Sequence, residues 1–347
     1  LPDSSELIWF SERTGWAHLY LYNLETGELK KPLTQGDWLV RDILSFDAAR
    51  REAYVQTGGR TADRDPYYRD LMRIHLDSGE LTTLASGDYD LSTVAGIHPD
   101  QNTRLVKGCG RYSGNPSGIS PSGDFAIITR SRADSVPVSL LLDRDGQEIL
   151  TIETADISAL YASVSDTWQW PEPVKLLAAD GKTDIYGLVY RPSDFSPEQS
   201  YPVVTHAFNT PELPWVPKGS FTNGTALGWA YLLAAALAEL GFIVVQIDGR
   251  GTPFRQKAFY DESYGWSESA SNLDDHVAGI QQLAQRYPYM DLNRVGIDGP
   301  GVEGLLHYPD FYQVGACWLM HDSRLMPYMW GNKYEGLAGP DPKHQYL

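Results

Sequence analysis

The chain has 347 residues, of which 42% are hydrophobic and 21% charged, and its formal net charge is -17. This length allows two domains with separate cores, and the composition is that of a folded globular protein. The acidic balance argues against a nucleic-acid partner, because binding to a phosphate backbone requires a basic surface.

A hairpin pattern recurs in the first half of the sequence. The segments LYNLETGEL (21–29) and RIHLDSGEL (73–81) share apolar alternation followed by an acidic residue and a turn glycine, and LLDRDGQEI (141–149) is a weaker copy. A further apolar strand precedes each hairpin, at 7–12, 52–57 and 125–132. Units of several short strands with turn glycines are typical of propeller blades, so the pattern predicts about three blades of a β-propeller. A plain β-sandwich is the alternative.

An insertion lengthens the interval between the second and third repeats. Residues 89–118 are rich in Gly, Asn, Ser and Pro and show no sustained hydrophobic period, so we interpret them as a loop. The predicted propeller region, with this insertion, covers residues 1–164. Because closed propellers need at least about four blades, we expect this region to be the end of a larger ring.

Strands and helices alternate in the second half, from about residue 165. A hairpin turns at Asp180-Gly181-Lys182, and apolar strands are predicted at 201–208, 242–248, 294–298 and 312–319, the last two also buried. Helices are predicted at 225–240, which Gly241 ends, and at 272–287. This alternation predicts a doubly wound, mostly parallel sheet over residues 165–347, with its chemistry at the carboxyl ends of the strands.

The turn after strand 294–298 has the form of a nucleophile elbow without its nucleophile. In α/β-hydrolases this turn has the sequence G-x-S-x-G and holds a serine between a strand and a helix. Here the sequence is Gly299-Pro300-Gly301-Val302-Glu303. Glycine takes the place of the serine, and glutamate takes the place of the second elbow glycine.

Longer segments of the chain carry a family resemblance. They are DGRGTPFRQKAF (248–259), HVAGIQQLAQRYPYMDLNRVGI (276–297) and YPDFYQVG (308–315). These segments resemble the prolyl oligopeptidase family of serine peptidases, in its dipeptidyl peptidase IV-like branch, and LIWFSERTGWAHLYLYNLETG resembles the last propeller blades of that branch. The resemblance implies a partial β-propeller followed by an incomplete α/β-hydrolase domain, with peptides cleaved in the cavity between them.

The family also implies a catalytic serine, aspartate and histidine, and a tyrosine hydroxyl that stabilises the oxyanion. When the chain is aligned on Arg294-Val295-Gly296-Ile297, the serine position falls on Gly301 and the second elbow glycine on Glu303. The tyrosine position falls on Phe208, which keeps the ring and lacks the hydroxyl. The chain ends at Leu347, before the family's aspartate and histidine would follow. We therefore expect no intact catalytic residue.

Other polar clusters have simpler structural interpretations. His321-Asp322-Ser323 contains all three triad residue types, but adjacent side chains diverge, so we expect it to cap a loop. Asp274-Asp275-His276 is contiguous on a helix, which favours solvated acids at the helix start over metal ligands. We expect His206 to be a hydrogen-bonded core histidine, and Asp248 and Arg250 to form a structural pair.

The remaining sequence features indicate no cofactor and no membrane span. Cys109 and Cys317 belong to no metal-ligand or redox motif, so we expect mostly buried thiols and neither a metal nor a cofactor. The longest apolar run, 231–240, is too short to cross a bilayer. The sequence begins at Leu1 without a signal-peptide pattern, and only the family resemblance favours a periplasmic or extracellular location.

Three functional hypotheses remain open at this point. In the first, a serine peptidase-family protein has lost its catalytic groups and is an inactive pseudo-peptidase or a degenerate fragment, which binds peptides or a protein partner in the old cleft. In the second, it is an active serine exopeptidase whose sequence here is incomplete, which Phe208 argues against. In the third, it is a propeller-type scaffold for protein partners. The open strand edges of a partial propeller also favour association into a homo-oligomer.

Overall fold

The computed structural model describes residues 4–93, 117–163, 167–207, 214–221, 226–264 and 272–317. The chain divides into two compact units. The first comprises Leu1–Asp156, Lys218–Ala226 and Phe254–Ala258, and the second comprises Ile157–Pro217, Leu227–Pro253 and Phe259–Leu347. In the described residues, no helix combines the length and the apolar character needed to cross a membrane.

Three antiparallel sheets make up the first unit. Sheet 1 contains β1 (Glu6–Ser11), β2 (His18–Asn23) and β3 (Leu29–Pro32), in that order. Sheet 2 contains β4 (Leu39–Asp47), β5 (Glu52–Gly58), β6 (Arg69–His75) and β7 (Leu81–Ala85), also in chain order. Sheet 3 contains β8 (Asp90–Ser92), β9 (Phe125–Ser131), β10 (Val138–Asp143) and β11 (Glu148–Thr154), again in chain order.

The predicted hairpins are all present, and their turn glycines explain why. Gly27, Gly79 and Gly146 have φ angles of 71°, 78° and 84°, a region that favours glycine. At Gly146 an added Cβ would also lie only 2.2 Å from the carbonyl oxygen of Leu84. This turn therefore excludes every side chain larger than hydrogen.

Two apolar layers hold the three sheets face to face. One layer lies between sheets 1 and 2 and includes Leu19 and Val55. The other lies between sheets 2 and 3 and includes Leu71 and Leu140. Sheet 2 is consequently covered on both faces, and all seven residues of β5 are buried. This stacking of similar sheets confirms the predicted partial propeller rather than a simple sandwich of two sheets.

The insertion at 89–118 is not a loop throughout, and its first residues contradict that prediction. Asp90–Ser92 form β8, which pairs antiparallel with β9. The carboxylate of Asp90 accepts two hydrogen bonds from the buried guanidinium of Arg69, at 2.9 and 2.7 Å. A strand of three residues is too short to show a hydrophobic period, and a long-range ion pair fixes it. Residues 94–116 lie outside the described residues.

The second unit contains a six-stranded sheet with helices between its strands. The strands are β12 (Glu172–Leu177), β13 (Asp184–Tyr190), β14 (Tyr201–His206), β15 (Ile243–Asp248), β16 (Met290–Gly299) and β17 (Val314–Cys317). The helices are α1 (Ser158–Ser163), α2 (Ala226–Glu239), α3 (Lys257–Tyr260), α4 (Leu273–Arg286) and α5 (Gly301–His307), with a 3₁₀ turn at Asp261–Ser263.

The strand order is β12-β13-β15-β14-β16-β17, and the four strands from β15 to β17 in this order are parallel. All of β15 is buried, as its apolar sequence predicts, and Gly241, with a φ of 93°, follows the end of α2. The predicted doubly wound sheet is therefore confirmed. The strand β17 differs from the prediction, because within the described residues it pairs with β16 alone and is mostly exposed.

Candidate functional site

The candidate site lies where β16 ends and α5 begins, at the carboxyl end of a parallel strand. β16 ends at Gly299 and α5 begins at Gly301, so a single residue, Pro300, connects them. The φ angle of Gly299 is 119°, and an added Cβ would lie 1.9 Å from the carbonyl oxygen of Ala207. Any side chain at position 299 would therefore force the neighbouring chain away from the turn.

The helix after this turn lies close against the sheet. At Gly304 an added Cβ would be 2.9 Å from two carbons of the Ile297 side chain and 3.3 Å from the ring of Tyr312. On the other side of the turn, Pro300 forms a β-bridge with Cys317. The bridge to Cys317 therefore fixes the backbone of the turn, and close packing restricts the side chains that positions 299 and 304 can carry.

The side chains of this turn include a carboxylate but no hydroxyl or thiol. The candidate nucleophile position, Gly301, is the first residue of α5 and has no side-chain atoms. Val302 is exposed, and Glu303 is partly buried. One oxygen of Glu303, Oε2, is buried and accepts no hydrogen bond in the described part of the chain. The turn thus places a partly buried carboxyl group two residues after the candidate nucleophile position.

A histidine–aspartate pair lies beside the turn, on two adjacent strands. His206 on β14 and Asp298 on β16 are register partners, and His206 Nδ1 lies 2.8 Å from Asp298 Oδ2. The ring of His206 is 0% exposed and its centroid lies 5.3 Å from that of Trp215. Its second nitrogen, Nε2, has no hydrogen-bond partner among the described residues. The expectation of a hydrogen-bonded core histidine is therefore confirmed at Nδ1.

Asp248 and Arg250 do not pair with each other, contrary to the prediction. Asp248 is fully buried at the end of β15, and its Oδ1 accepts backbone N–H groups of Trp215 and Val216 at 2.7 and 3.0 Å. Arg250 instead bonds to carboxylates on α4. The chain turns immediately after β15, so the two side chains reach different elements.

Arg250 connects the end of β15 to three carboxylates. Its backbone N–H donates to Asp275 at 2.7 Å, and its guanidinium Nη2 donates to Asp275 and Asp274 at 2.9 Å each. Its Nη1 lies 3.9 Å from Asp180, whose pKa is lowered to about 2, mainly by the hydrogen bond from Thr183. Asp275 is 0% exposed, so the prediction that both helix-start acids are solvated is wrong for Asp275. Its partner Arg250 explains the burial.

The neighbouring residue His276 is also buried, and burial lowers its pKa to about 4. It is therefore a neutral core residue at physiological pH. Within the residues that the structure describes, no group of three or more His, Cys, Asp or Glu side chains is arranged to hold a metal ion.

Several predicted positions have a different environment or lie elsewhere. Cys317 is exposed at the end of the edge strand β17, whereas a mostly buried thiol was expected. Phe208, Cys109 and His321-Asp322-Ser323 lie outside the described residues, so their predicted roles stay predictions.

Two family models match this chain over separate segments. The model of the dipeptidyl peptidase IV N-terminal region matches residues 1–104, and the model of the prolyl oligopeptidase family matches residues 230–306. The second segment includes most of α2, then β15, α3, α4 and β16, and most of α5. The chain belongs to the prolyl oligopeptidase family, in its dipeptidyl peptidase IV-like branch.

Curated relatives and solved structures agree with this membership. The chain is 31% identical to mouse dipeptidyl peptidase 8 over 367 residues and 26% identical to the human protein of that name over 340 residues. Each alignment covers 92% of this chain and 37% or 36% of the relative, so the chain spans about a third of their length. A crystal structure assigned as a dipeptidyl aminopeptidase IV from Bacteroides ovatus matches with a TM-score of 0.72, at 24% identity, over 97% of this chain and 46% of that one. This structural match supports the fold alone.

Proposed function

We propose that this chain is a pseudo-peptidase, which keeps the hydrolase framework and binds peptides without cleaving them. The observation that carries the proposal is Gly301, which occupies the nucleophile position in a turn whose backbone is held by steric contacts. In a serine hydrolase the attacking atom is a side-chain oxygen at this position. Glycine has no such atom, so no acyl-enzyme can form there.

The magnitude of this loss supports an inactive protein. Removal of the nucleophile from a serine peptidase reduces kcat by a factor of about a million. Phe208, in the position of the family's oxyanion tyrosine, would remove a donor that is worth roughly 3–4 kcal/mol in the transition state. The first loss removes the attacking atom, and the second removes a hydrogen bond to the oxyanion. Neither loss compensates for the other.

The His206–Asp298 pair does not restore this chemistry. Its geometry resembles that of a general base held by a carboxylate, because His206 Nδ1 lies 2.8 Å from Asp298 Oδ2. A general base needs a hydroxyl or thiol to deprotonate, and the turn from Gly299 to Glu303 has neither. Glu303 instead adds a carboxylate, whose charge opposes the formation of an oxyanion nearby.

Peptides are the ligand class that the proposal implies. The matched relatives are dipeptidyl peptidases, and the framework that they share with this chain extends over both units. The net charge of -17 favours basic peptides or basic protein partners over acidic ones. We propose residues 1–164 as the propeller part and residues 165–347 as the hydrolase part.

Hydrolysis and binding assays on the purified chain test the proposal separately. We expect no turnover of chromogenic X-Pro dipeptides and no labelling by a fluorophosphonate probe, whereas X-Pro peptides bind in a fluorescence anisotropy titration. Gly301→Ser supplies the missing hydroxyl, and Gly301→Ala is its matched control. If the fluorophosphonate probe labels Gly301→Ser but not Gly301→Ala, the side chain at position 301 is accessible to the probe. Wild-type turnover that a serine-directed phosphonate inhibits would overturn the proposal.

An active exopeptidase is the second candidate. It is favoured by one observation, that the chain spans 36–37% of the length of the dipeptidyl peptidases that it matches. Mass spectrometry of the protein purified from its natural source separates the two candidates. A mass near 38.7 kDa supports the pseudo-peptidase, and a larger mass with serine-type activity supports the exopeptidase.

A further inference from the structure

Two buried polar side chains lie side by side at the carboxyl ends of β14 and β15. The strands are parallel and Thr205 is opposite Val245, so His206 and Gln246 are the next neighbours along the pair. Both side chains are 0% exposed. Burial of a polar group costs free energy unless the group is hydrogen-bonded. Each polar atom of the two side chains should therefore have a partner.

One polar atom of each side chain has a partner, and the other does not. His206 Nδ1 lies 2.8 Å from Asp298 Oδ2, and Gln246 Nε2 donates to the carbonyl of Ala230 on α2 at 3.3 Å. Among the described residues, His206 Nε2 and Gln246 Oε1 have no hydrogen-bond partner. Gln246 Oε1 can only accept, whereas His206 Nε2 accepts or donates according to which ring nitrogen carries the proton.

The surroundings of the two unpartnered atoms are closed to solvent and lined by small side chains on α2. Ala230, Ala234 and Ala238 follow one another at four-residue intervals, so they lie along one side of the helix, and all three are buried. The ring of Trp215 lies next to His206, with 5.3 Å between the ring centroids. Small side chains of this kind are compatible with one more small molecule between the helix and the sheet.

Water has the hydrogen-bonding groups that both atoms need. A water molecule can donate to Gln246 Oε1, and it can either donate to His206 Nε2 or accept from it, so it suits both tautomers of the ring. An ammonium ion can only donate. Adjacent strands are about 4.8 Å apart, a separation that one water molecule can bridge. Buried water molecules typically make about three hydrogen bonds to polar groups that otherwise lack partners.

We propose that His206 and Gln246 form the binding site of one internal water molecule, which joins the carboxyl ends of β14 and β15. The water bonds to His206 Nε2 and to Gln246 Oε1, while Asp298 holds the other ring nitrogen. The chain of hydrogen bonds then extends from β16 through β14 to β15 and α2. Both nitrogens of His206 have structural partners in this arrangement, so the ring is not a free base for a bound peptide.

Oxygen-17 magnetic relaxation dispersion of the purified chain tests the site, because it counts long-lived internal water molecules. Gln246→Leu keeps a side chain of similar size and removes Oε1, so we expect it to hold one water molecule fewer than the wild type. Gln282→Leu is the matched control, since Gln282 Oε1 already accepts from the backbone N–H of Leu177 at 3.0 Å. This control should keep the wild-type count. An equal count in the wild type and in Gln246→Leu would overturn the proposal.

NMR of the unaltered chain tests the site without relying on a core substitution. We expect cross-relaxation between water and the ring protons of His206, whose signals are assigned by their absence in His206→Phe. A hydrogen-bond coupling between His206 Nε2 and the amide of Gln246 would contradict the proposal, because the two side chains would then bond directly. Stabilisation of the wild type by ammonium chloride relative to potassium chloride, absent in Gln246→Leu, would also contradict it, since the ligand would then be a cation. These measurements involve neither peptide binding nor hydrolysis, so failure of the proposed function leaves them unaffected.

Discussion

The end of β15 and the end of β16 belong to the same sheet, but different forces hold them. At the end of β15, Arg250 is fixed by charge-assisted hydrogen bonds to Asp275 and Asp274. At the end of β16, the backbone N–H of Ala207 donates to the carbonyl of Asp298 at 3.0 Å, and the carbonyl of Ala207 leaves no room for a side chain at Gly299. A strand end held by backbone contacts does not need its reactive side chain in order to fold. The difference indicates that the turn at the end of β16 can fold without a serine at position 301.

The largest expected effect on stability comes from adding a single methyl group at Gly299. We expect Gly299→Ala to lower the free energy of unfolding by more than about 4 kcal/mol, because its Cβ would lie 1.9 Å from a carbonyl oxygen. Gly181→Ala is the matched control, since Gly181 has a φ of 70° with no atom within 4 Å of an added Cβ. That change should cost only about 1–2 kcal/mol. Urea titrations measure both, and equal costs would contradict the steric account.

At the end of β15 we expect the free energy of unfolding to depend on the charged partners of Arg250. We expect Asp275→Asn to cost about 4 kcal/mol, because the Arg250 guanidinium would lose a fully buried anionic partner. Asp274→Asn removes the more exposed partner of the same arginine and should cost about 0–1 kcal/mol. Chemical denaturation of the two variants compares them directly. If Asp274→Asn costs as much as Asp275→Asn, burial is not the source of the effect.

The pH dependence of the free energy of unfolding tests the buried histidine next to Asp275. The pKa of His276 is about 4 in the folded chain, below the 6.5 of the free side chain. Between these values only the unfolded chain binds the proton, so the free energy of unfolding should fall by about 3 kcal/mol as the pH decreases from 6.5 to 4. Denaturation at a series of pH values should show this slope. His276→Gln should remove it, and the exposed His307→Gln should retain it.

The smallest expected effect concerns the pair beside the elbow. Asp298→Asn replaces the carboxylate beside His206 Nδ1 with a neutral amide, and we expect a loss of about 1–2 kcal/mol. Asp291→Asn is a control on the same strand, where the carboxylate accepts a hydrogen bond from the exposed Arg294, and we expect this change to have a smaller effect than Asp298→Asn. Differential scanning calorimetry resolves a difference of this size. A loss for Asp291→Asn equal to that for Asp298→Asn would contradict the structural role assigned to the buried histidine.

Elements with a strong local signal were predictable from the sequence. The hairpins around Gly27 and Gly79 follow from alternation and turn chemistry, and β15 follows from its apolar sequence. The strand β8 was not predicted, because three residues show no hydrophobic period. The residue that binds its Asp90, Arg69, also lies 21 residues earlier in the sequence. The exposure of β17 was not predicted, because its position at the edge of the described sheet depends on the strand order.

The candidate site also has one part that the sequence predicts and one part that it does not. The elbow was predictable because its strand, turn and helix are contiguous, and the position of Gly301 follows from their spacing. The His206–Asp298 pair was not predictable, because 92 residues separate its members and only the strand order brings them together. A signal was nevertheless present, since both residues are polar and end buried strands that are expected to be parallel.

The contact between Gly299 and Ala207 also affects how such proteins are recognised. Purifying selection on folding alone is enough to keep this glycine, whether or not the protein still cleaves a substrate. The family match over residues 230–306 includes the turn, although Gly301 lacks the hydroxyl that gives serine peptidases their name. A match to this family therefore does not by itself show that the turn carries a serine, and a catalytic assignment depends on the residue at position 301.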